Sequence, residues 1–75
     1  MEHENMYMLL DRHKQDCKYF LGYGNGCEKY LHGKTVEDHI ARMYELYEVL
    51  PVKPEWLTAE DIRSYERRML ALKYS

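Results

Sequence analysis

The sequence predicts an all-α fold: a small three-helix bundle with a glycine-rich loop between the first and second helices. Three observations predict it. Apolar residues recur at helical spacing in three separate stretches, glycine or proline separates these stretches, and no stretch alternates apolar and polar residues as a strand would. Three amphipathic helices with short connections bury their apolar faces best against one another.

The first helix is predicted over residues 5–21. Its apolar positions lie 3, 4, 7, 11, 14 and 15 residues after Met6, which is one face of an α-helix. Gly22 follows directly, and we expect it to end the helix in the left-handed conformation that glycine adopts without strain. The segment GYGNG, residues 22–26, is expected to turn the chain back. Residues 27–32 fit either a single helical turn or an extended piece, and Gly33 ends this stretch.

The second helix is predicted over residues 36–50. Thr35 is expected to be its N-cap, with Asp38 as the capping-box partner three residues later. Pro51 ends the helix, because proline cannot continue it. His39 lies near the acidic start of this helix and is expected to lie in solvent.

The third helix is predicted over residues 59–73 and has the clearest start signals. Thr58 is expected to be the N-cap and Asp61 its capping-box partner. Leu57 and Ile62 occupy the two positions of a hydrophobic staple, which fixes the direction in which the chain enters the helix.

Length, charge and cysteine content limit the classes of protein to consider. Residues 1–75 are expected to form a single domain, because a chain of this length holds one small core at most. The net charge of −2 gives no electrostatic reason to expect nucleic acid or an anionic membrane as partner. With no apolar run near ~18 residues and an acidic start, we expect neither a membrane span nor a secretory signal. Two cysteines fit a reducing, cytoplasmic compartment.

Three segments in the middle of the chain carry a family resemblance. In order, YFLGYGNG, VEDHIARMYELYEVLP and KPEWLT resemble the large polyvalent protein-associated domain family, in particular its type eleven, over residues 19–65. The resemblance implies a domain that occurs in multidomain proteins of phages, plasmids and conjugative elements, and also as a small free-standing protein. It implies no assigned catalytic residue, and Cys17 and Cys27 do not match signature positions of the family.

The alternating glycines Gly22, Gly24 and Gly26 invite comparison with phosphate-binding loops. Such a loop follows a strand and opens a helix, whose free N–H groups bind the phosphate. Here a predicted helix precedes the glycines, the spacing is G-x-G-x-G, and no Lys-Ser or Lys-Thr follows. The sequence therefore favours a structural turn, and no cofactor is expected.

Two Cys–His pairs raise two chemical hypotheses. His13, Cys17, Cys27 and His32 are residues of the types that bind zinc tetrahedrally, but structural sites usually have two to four residues between their paired cysteines, and nine residues separate these two. A Cys27 nucleophile assisted by His32 needs an electropositive setting, which the neighbouring Glu28 does not favour. The interpretation preferred for all four is structural, so no metal and no catalytic residue is predicted.

Aromatic and basic residues supply the candidates for an interaction surface. Eight tyrosines and one tryptophan are too many for the interior of so small a bundle, and both residue types are enriched in protein-binding hot spots. On the third helix, arginines could contact nucleic-acid phosphates, but acidic residues are interleaved with them, as on a solvated helix face. The interaction candidates are Tyr23, Asn25, Tyr30, Trp56, Arg63 and Arg67.

The expected function is that of a non-enzymatic interaction module with a protein partner, in the mobile-element setting that the resemblance implies. A homodimer is one form that this partner could take, because a second copy can complete a small core that has aromatic residues to spare. The alternative is a small nucleic-acid-binding accessory protein that uses the basic face of the third helix. An enzyme or zinc protein built on the Cys–His pairs is the third hypothesis.

Overall fold

The computed structural model describes residues 2–24 and 26–74. Within these ranges it contains three α-helices, two short 3-10 turns and no strand, so the predicted all-α three-helix fold is confirmed. In chain order the elements are α1 (Glu2–Leu21), the turns Glu28–Tyr30 and His32–Lys34, α2 (Val36–Val49) and α3 (Ala59–Lys73).

Two helix boundaries differ from those predicted. Helix α1 begins at Glu2, three residues earlier than expected, because its first turn is polar and the apolar periodicity starts only at Met6. Helix α2 ends at Val49 rather than at residue 50. Leu50 is extended, with φ −71° and ψ 129°, because a residue that precedes proline is sterically excluded from the helical region.

Both predicted N-caps form, but only the cap of α3 completes the predicted capping box. At α3 the Asp61 amide donates to the Thr58 hydroxyl at 3.1 Å, and the Thr58 amide donates to the Asp61 carboxylate at 3.0 Å. At α2 the Asp38 amide donates to the Thr35 hydroxyl at 3.1 Å. No hydrogen bond from the Thr35 amide to the Asp38 side chain completes a capping box among the described residues, and that side chain lies beside Gly33, 2.6 Å from where a Cβ would be added.

The glycine loop turns the chain by a different route from the one predicted. Gly22 follows the last residue of α1, but its backbone is not left-handed; the left-handed glycines are Gly26, with φ 82°, and Gly33, with φ 69°. The chain keeps a helical course through Gly22, and the Gly24 amide then donates to the Tyr19 carbonyl at 2.6 Å. The reversal therefore comes two to four residues later than expected.

A polar network closes the glycine-loop end of the bundle. The Glu28 carboxylate accepts the Val36 amide at 2.7 Å and pairs with Lys73 at 3.0 Å. Lys73 also pairs with Glu37 at 2.8 Å, and Glu37 accepts the Tyr74 hydroxyl at 2.9 Å. These partners lower the pKa of Glu37 to about 2, with the Lys73 hydrogen bond as the main cause. The network ties the end of α3 to the start of α2.

The core lies between the three helices, with α2 contacting both others. It includes residues from every helix and from the connecting segments. The buried apolar residues are Leu10, Cys17, Phe20, Leu31, Val36, Ile40, Met43, Leu46, Leu50, Leu57, Ile62, Tyr65 and Met69.

Candidate functional site

An open groove of about 800 Å³ lies between the first half of α1 and the second half of α2. The two helices run antiparallel here, because the Tyr7 hydroxyl near the start of α1 donates to the Val52 carbonyl just beyond the end of α2. Most of its lining surface is apolar, and we call its apolar lining residues the floor and its charged lining residues the rim. Its walls consist of Asn5, Met6, Leu9, Arg42, Tyr44, Glu45, Leu46, Glu48 and Val49.

Apolar side chains remain exposed at this end of the molecule. Val49 and Leu9, which line the groove, are 57% and 38% exposed, and Met8 in α1 and Val52 just beyond α2 are 69% and 71% exposed. Scattered single apolar residues are normal on a protein surface, but contiguous ones mark interaction sites. Leu9 and Val49 line the same groove, so these two exposed residues belong to one apolar surface.

The rim of the groove carries more negative than positive charge. Arg42 pairs with Glu45 at 3.6 Å, and Glu48 has no ion-pair partner among the described residues. Lys53 lies close by on the chain, but its ammonium donates to the Tyr47, Glu48 and Leu50 carbonyls at 2.6, 3.1 and 3.0 Å, where it caps the end of α2. The Glu48 carboxylate is therefore left for solvent or for a partner.

Three histidines meet where α1, α2 and the second 3-10 turn come together. The rings of His13 and His39 stack with centroids 4.6 Å apart, and the His32 ring lies 5.6 Å from that of His13. His39 is fully buried and His13 is 5% exposed. The expectation that His39 lies in solvent is therefore wrong.

Hydrogen bonds assign the tautomers of the two buried histidines. His39 Nδ1 accepts the His32 amide at 2.9 Å, so Nε2 carries the proton and donates to the His13 carbonyl at 2.9 Å. His13 Nδ1 donates to the Leu9 carbonyl at 2.8 Å, which leaves its buried Nε2 as an acceptor with no partner among the described residues. Burial lowers the pKa of both side chains. Both rings are therefore held neutral and serve as structural links.

The four residues considered for zinc do not come together as ligands. The Cys17 thiol is buried and lies 3.5 Å from the Met43 sulfur, and burial raises its pKa to about 12. Cys27 is a half-buried free thiol in the loop. In the described part of the chain no group of three or more His, Cys, Asp or Glu side chains is arranged to hold a metal ion. The rings of His13 and His32 lie close together, but the two cysteine thiols do not join them in a ligand group.

The family model of the large polyvalent protein-associated domain 11 matches residues 3–69. The chain belongs to this family. Comparisons with curated proteins and with solved structures gave no match. None of the helices in residues 2–24 and 26–74 is long and apolar enough to span a membrane. Membership makes the chain a polyvalent protein-associated accessory domain.

The interaction residues predicted from sequence are scattered over this polyvalent protein-associated domain. Tyr23 is 95% exposed in the loop, and Tyr30 is 56% exposed with its ring edge-on to Tyr19. Trp56 is 39% exposed beneath the Lys14 ammonium, which donates to the Trp56 carbonyl at 2.9 Å. Arg63 and Arg67 are exposed on α3, and Asn25 lies outside the described residues. None of the five described candidates lines the groove.

Sequence reasoning missed the groove because its residues belong to apolar stripes that were assigned to the core. An excess of apolar residues could have indicated the groove, because the segment MYMLL, residues 6–10, has more apolar residues than one helix face can bury. Val49 likewise widens the apolar face of α2. Which of these excess apolar residues stay exposed depends on how α1 and α2 pack against each other, and the local sequence pattern does not contain that information.

Proposed function

We propose that this domain is a non-enzymatic accessory module that binds another protein, within a phage, plasmid or conjugative-element system. The observation that carries the proposal is the groove between α1 and α2, with its apolar floor, exposed Leu9 and Val49, and charged rim. An apolar centre with a polar rim is the usual anatomy of a protein-binding surface. The two free thiols suit a cytoplasmic location, which is part of the proposal.

Two of the potentially reactive side chains are inaccessible, which supports a non-enzymatic role. Cys17 and His39 face the interior, and both ring nitrogens of His39 are used in structural hydrogen bonds. An active site needs a nucleophile or base that can reach a substrate. The charged groups of the groove, by contrast, lie on its rim and belong to one arginine and two glutamates.

Nucleic-acid binding through α3 is the alternative, and the contacts of its basic residues support it less. Arg63 and Arg67 are exposed, but Lys73 at the end of the helix is engaged by Glu28 and Glu37. A phosphate-binding face needs several uncommitted cations, and each phosphate contact adds to the salt dependence of binding.

Two double variants test the proposal against its alternative. Leu9→Ser with Val49→Ser removes apolar surface from the groove, and Arg63→Ser with Arg67→Ser is the matched control on α3. Partners are first enriched from the source cells, and binding is then measured with the purified partner by calorimetry. We expect the groove variant to lose that binding and the α3 variant to keep it.

The opposite pattern would contradict the proposal. If the α3 variant loses binding to labelled DNA or RNA, and the wild-type affinity falls steeply between about 50 and 200 mM salt, the domain is a nucleic-acid-binding protein. Thermal unfolding of both variants shows whether each retains its fold. The substituted positions are exposed, so neither change should abolish folding.

A further inference from the structure

The groove restricts the secondary structure of whatever occupies it. Both of its walls are α-helices, whose backbone N–H and C=O groups are bonded within each helix except in the terminal turns, and at the end of α2 Lys53 caps the Tyr47 and Glu48 carbonyls. An extended peptide would bring unpaired backbone groups into an apolar groove that offers no sheet edge to pair with them. A helix satisfies its own backbone, so a helix is the form of peptide that this groove accepts.

The size of the groove agrees with a short helical contact. Its α2 wall extends from Arg42 to Val49, which is about two turns of helix or roughly 12 Å. A partner helix would place apolar residues at positions i, i+3 or i+4, and i+7 against Met6, Leu9 and Val49. This is the position that a fourth helix would take beside the bundle.

The rim determines the charge of the partner. Glu45 and Glu48 lie on the α2 side, and Arg42 is already paired with Glu45. Glu4, one residue before the α1 wall, is also exposed. A partner with lysine or arginine beside its apolar stripe would pair with Glu48, whereas an acidic partner would be repelled.

A second copy of this chain does not match these requirements. The apolar residues of its α3, Ile62, Tyr65 and Met69, are buried in its own core. Pairing of groove against groove would bring the glutamates of the two rims together, since an isologous interface presents the same patch from both sides.

Resting on the proposed protein-binding function, we infer that the groove binds one amphipathic helix of a partner protein, with an apolar stripe flanked by basic residues. The apolar stripe fills the groove, and the basic flank lies beside Glu48. The affinity comes mainly from burial of the stripe, and the charges select the partner and its orientation.

Two synthetic peptides test this inference with the intact domain. Each is a helix of about 18 residues with the same leucine stripe, flanked by lysine in one peptide and by glutamate in the other. Fluorescence anisotropy measures the dissociation constants of both. We expect the lysine peptide to bind about five- to tenfold more tightly, with a ratio that shrinks as salt is raised.

Three variants locate the binding site. Val49→Asp should abolish binding of the lysine peptide, because it places a charge on the apolar floor. Glu48→Lys should reverse the preference between the two peptides. Tyr23→Ser, at an exposed position in the glycine loop, is the control and should change nothing. Circular dichroism checks that each variant is folded.

Three outcomes would overturn the inference. These are no binding of either peptide, equal binding of both, and a dimer in analytical ultracentrifugation that Val49→Asp dissociates. If the peptides fail while a purified partner still binds in a Val49-dependent manner, the helix assignment is wrong and the proposed function stands. If that partner also binds the groove variants unchanged, the proposed function fails as well.

Discussion

Acidification below neutral pH is expected to destabilise the fold through its buried histidines. His39 accepts the His32 amide at Nδ1 and donates to the His13 carbonyl from Nε2. A proton on Nδ1 would face the N–H of His32 and break that hydrogen bond. The charged and titratable groups that act on this ring are His13 and Asp16 from α1 and His32 from the second turn, and Arg42 of α2 acts on the neighbouring His13 ring.

The direction of the pH effect follows from the pKa of each state. Burial lowers the pKa of His39 and of His13 below the ordinary value of 6.5. In the unfolded chain both side chains return to that value, so below about pH 6.5 the unfolded state binds more protons than the folded state. The contribution of the two neutral histidines to the free energy of unfolding is therefore fully present above that pH. It falls as the pH drops towards the lowered pKa values.

The expected loss is large for a chain of 75 residues. For each histidine that stays neutral in the folded state, the free energy of unfolding falls by at most about 1.4 kcal/mol between about pH 7.5 and 5.5. The two histidines together lower it by up to about 3 kcal/mol. A domain of this size has a total stability of about 3–5 kcal/mol. Glu37 does not contribute in this window, because its lowered pKa of about 2 affects stability only in stronger acid.

Urea unfolding at a series of pH values measures the effect. With an m-value near 1 kcal/mol/M, the midpoint should fall by about 1–3 M between pH 7.5 and 5.5. His39→Gln removes one titrating group and should roughly halve the pH dependence, at a cost of about 1–3 kcal/mol at pH 7.5 from lost hydrogen bonds. His32→Gln, at an exposed position, is the control and should keep most of the dependence.

Two results would refute this account of the histidines. One is a wild-type stability that does not change between pH 7.5 and 5.5. The other is a His39→Gln variant with the full wild-type pH dependence, since the protons taken up on unfolding would then belong to other groups. A variant too unstable to measure is avoided by adding a stabilising osmolyte equally to all samples.

Three further predictions concern the loop, a cap and the thiols. Gly24→Ala should destabilise by about 1–3 kcal/mol, because the new Cβ would lie 2.8 Å from a backbone carbonyl. Gly22→Ala should cost less than about 1 kcal/mol, since its closest approach is 3.2 Å and its backbone is not left-handed, and thermal melts compare the two. Thr58→Ala should cost about 1 kcal/mol in urea unfolding, because it removes the hydroxyl of the capping box. A thiol reagent at about pH 8 should label Cys27 before the buried Cys17, and equal rates in the folded protein would contradict that burial.

Local signals predicted most of the fold because helix ends are decided by a few neighbouring residues. Thr58 with Asp61, and Pro51 after α2, act within one turn of the chain, so their effects could be derived without tertiary structure. The left-handed residue after α1 was misplaced, because several glycines in succession can take that conformation. Which of them does so depends on hydrogen bonds back to α1, such as that of Gly24.

The misplacement of His39 shows where residue type and periodicity disagree. His39 lies three residues after Val36 and is followed by Ile40, so helical spacing assigns it to the buried face. Its position near the acidic start of α2 suggested solvent instead. Burial is possible because the His32 amide and the His13 carbonyl satisfy both ring nitrogens, and these partners are 7 and 26 residues away in the chain.

At one end of the bundle the charged side chains are already paired, whereas at the other end apolar side chains are exposed to water. This difference favours the second end for binding. At the glycine-loop end, Lys73, Glu28 and Glu37 pair with one another, so a partner that binds these charges would have to displace ion pairs that already exist. At the opposite end the groove residues Val49 and Leu9 are exposed to water, and a partner that covers them releases that water. A helix added beside α1 and α2 would therefore extend the core at little cost to the fold, which is why the groove rather than the tyrosine-bearing loop is the surface to mutate first.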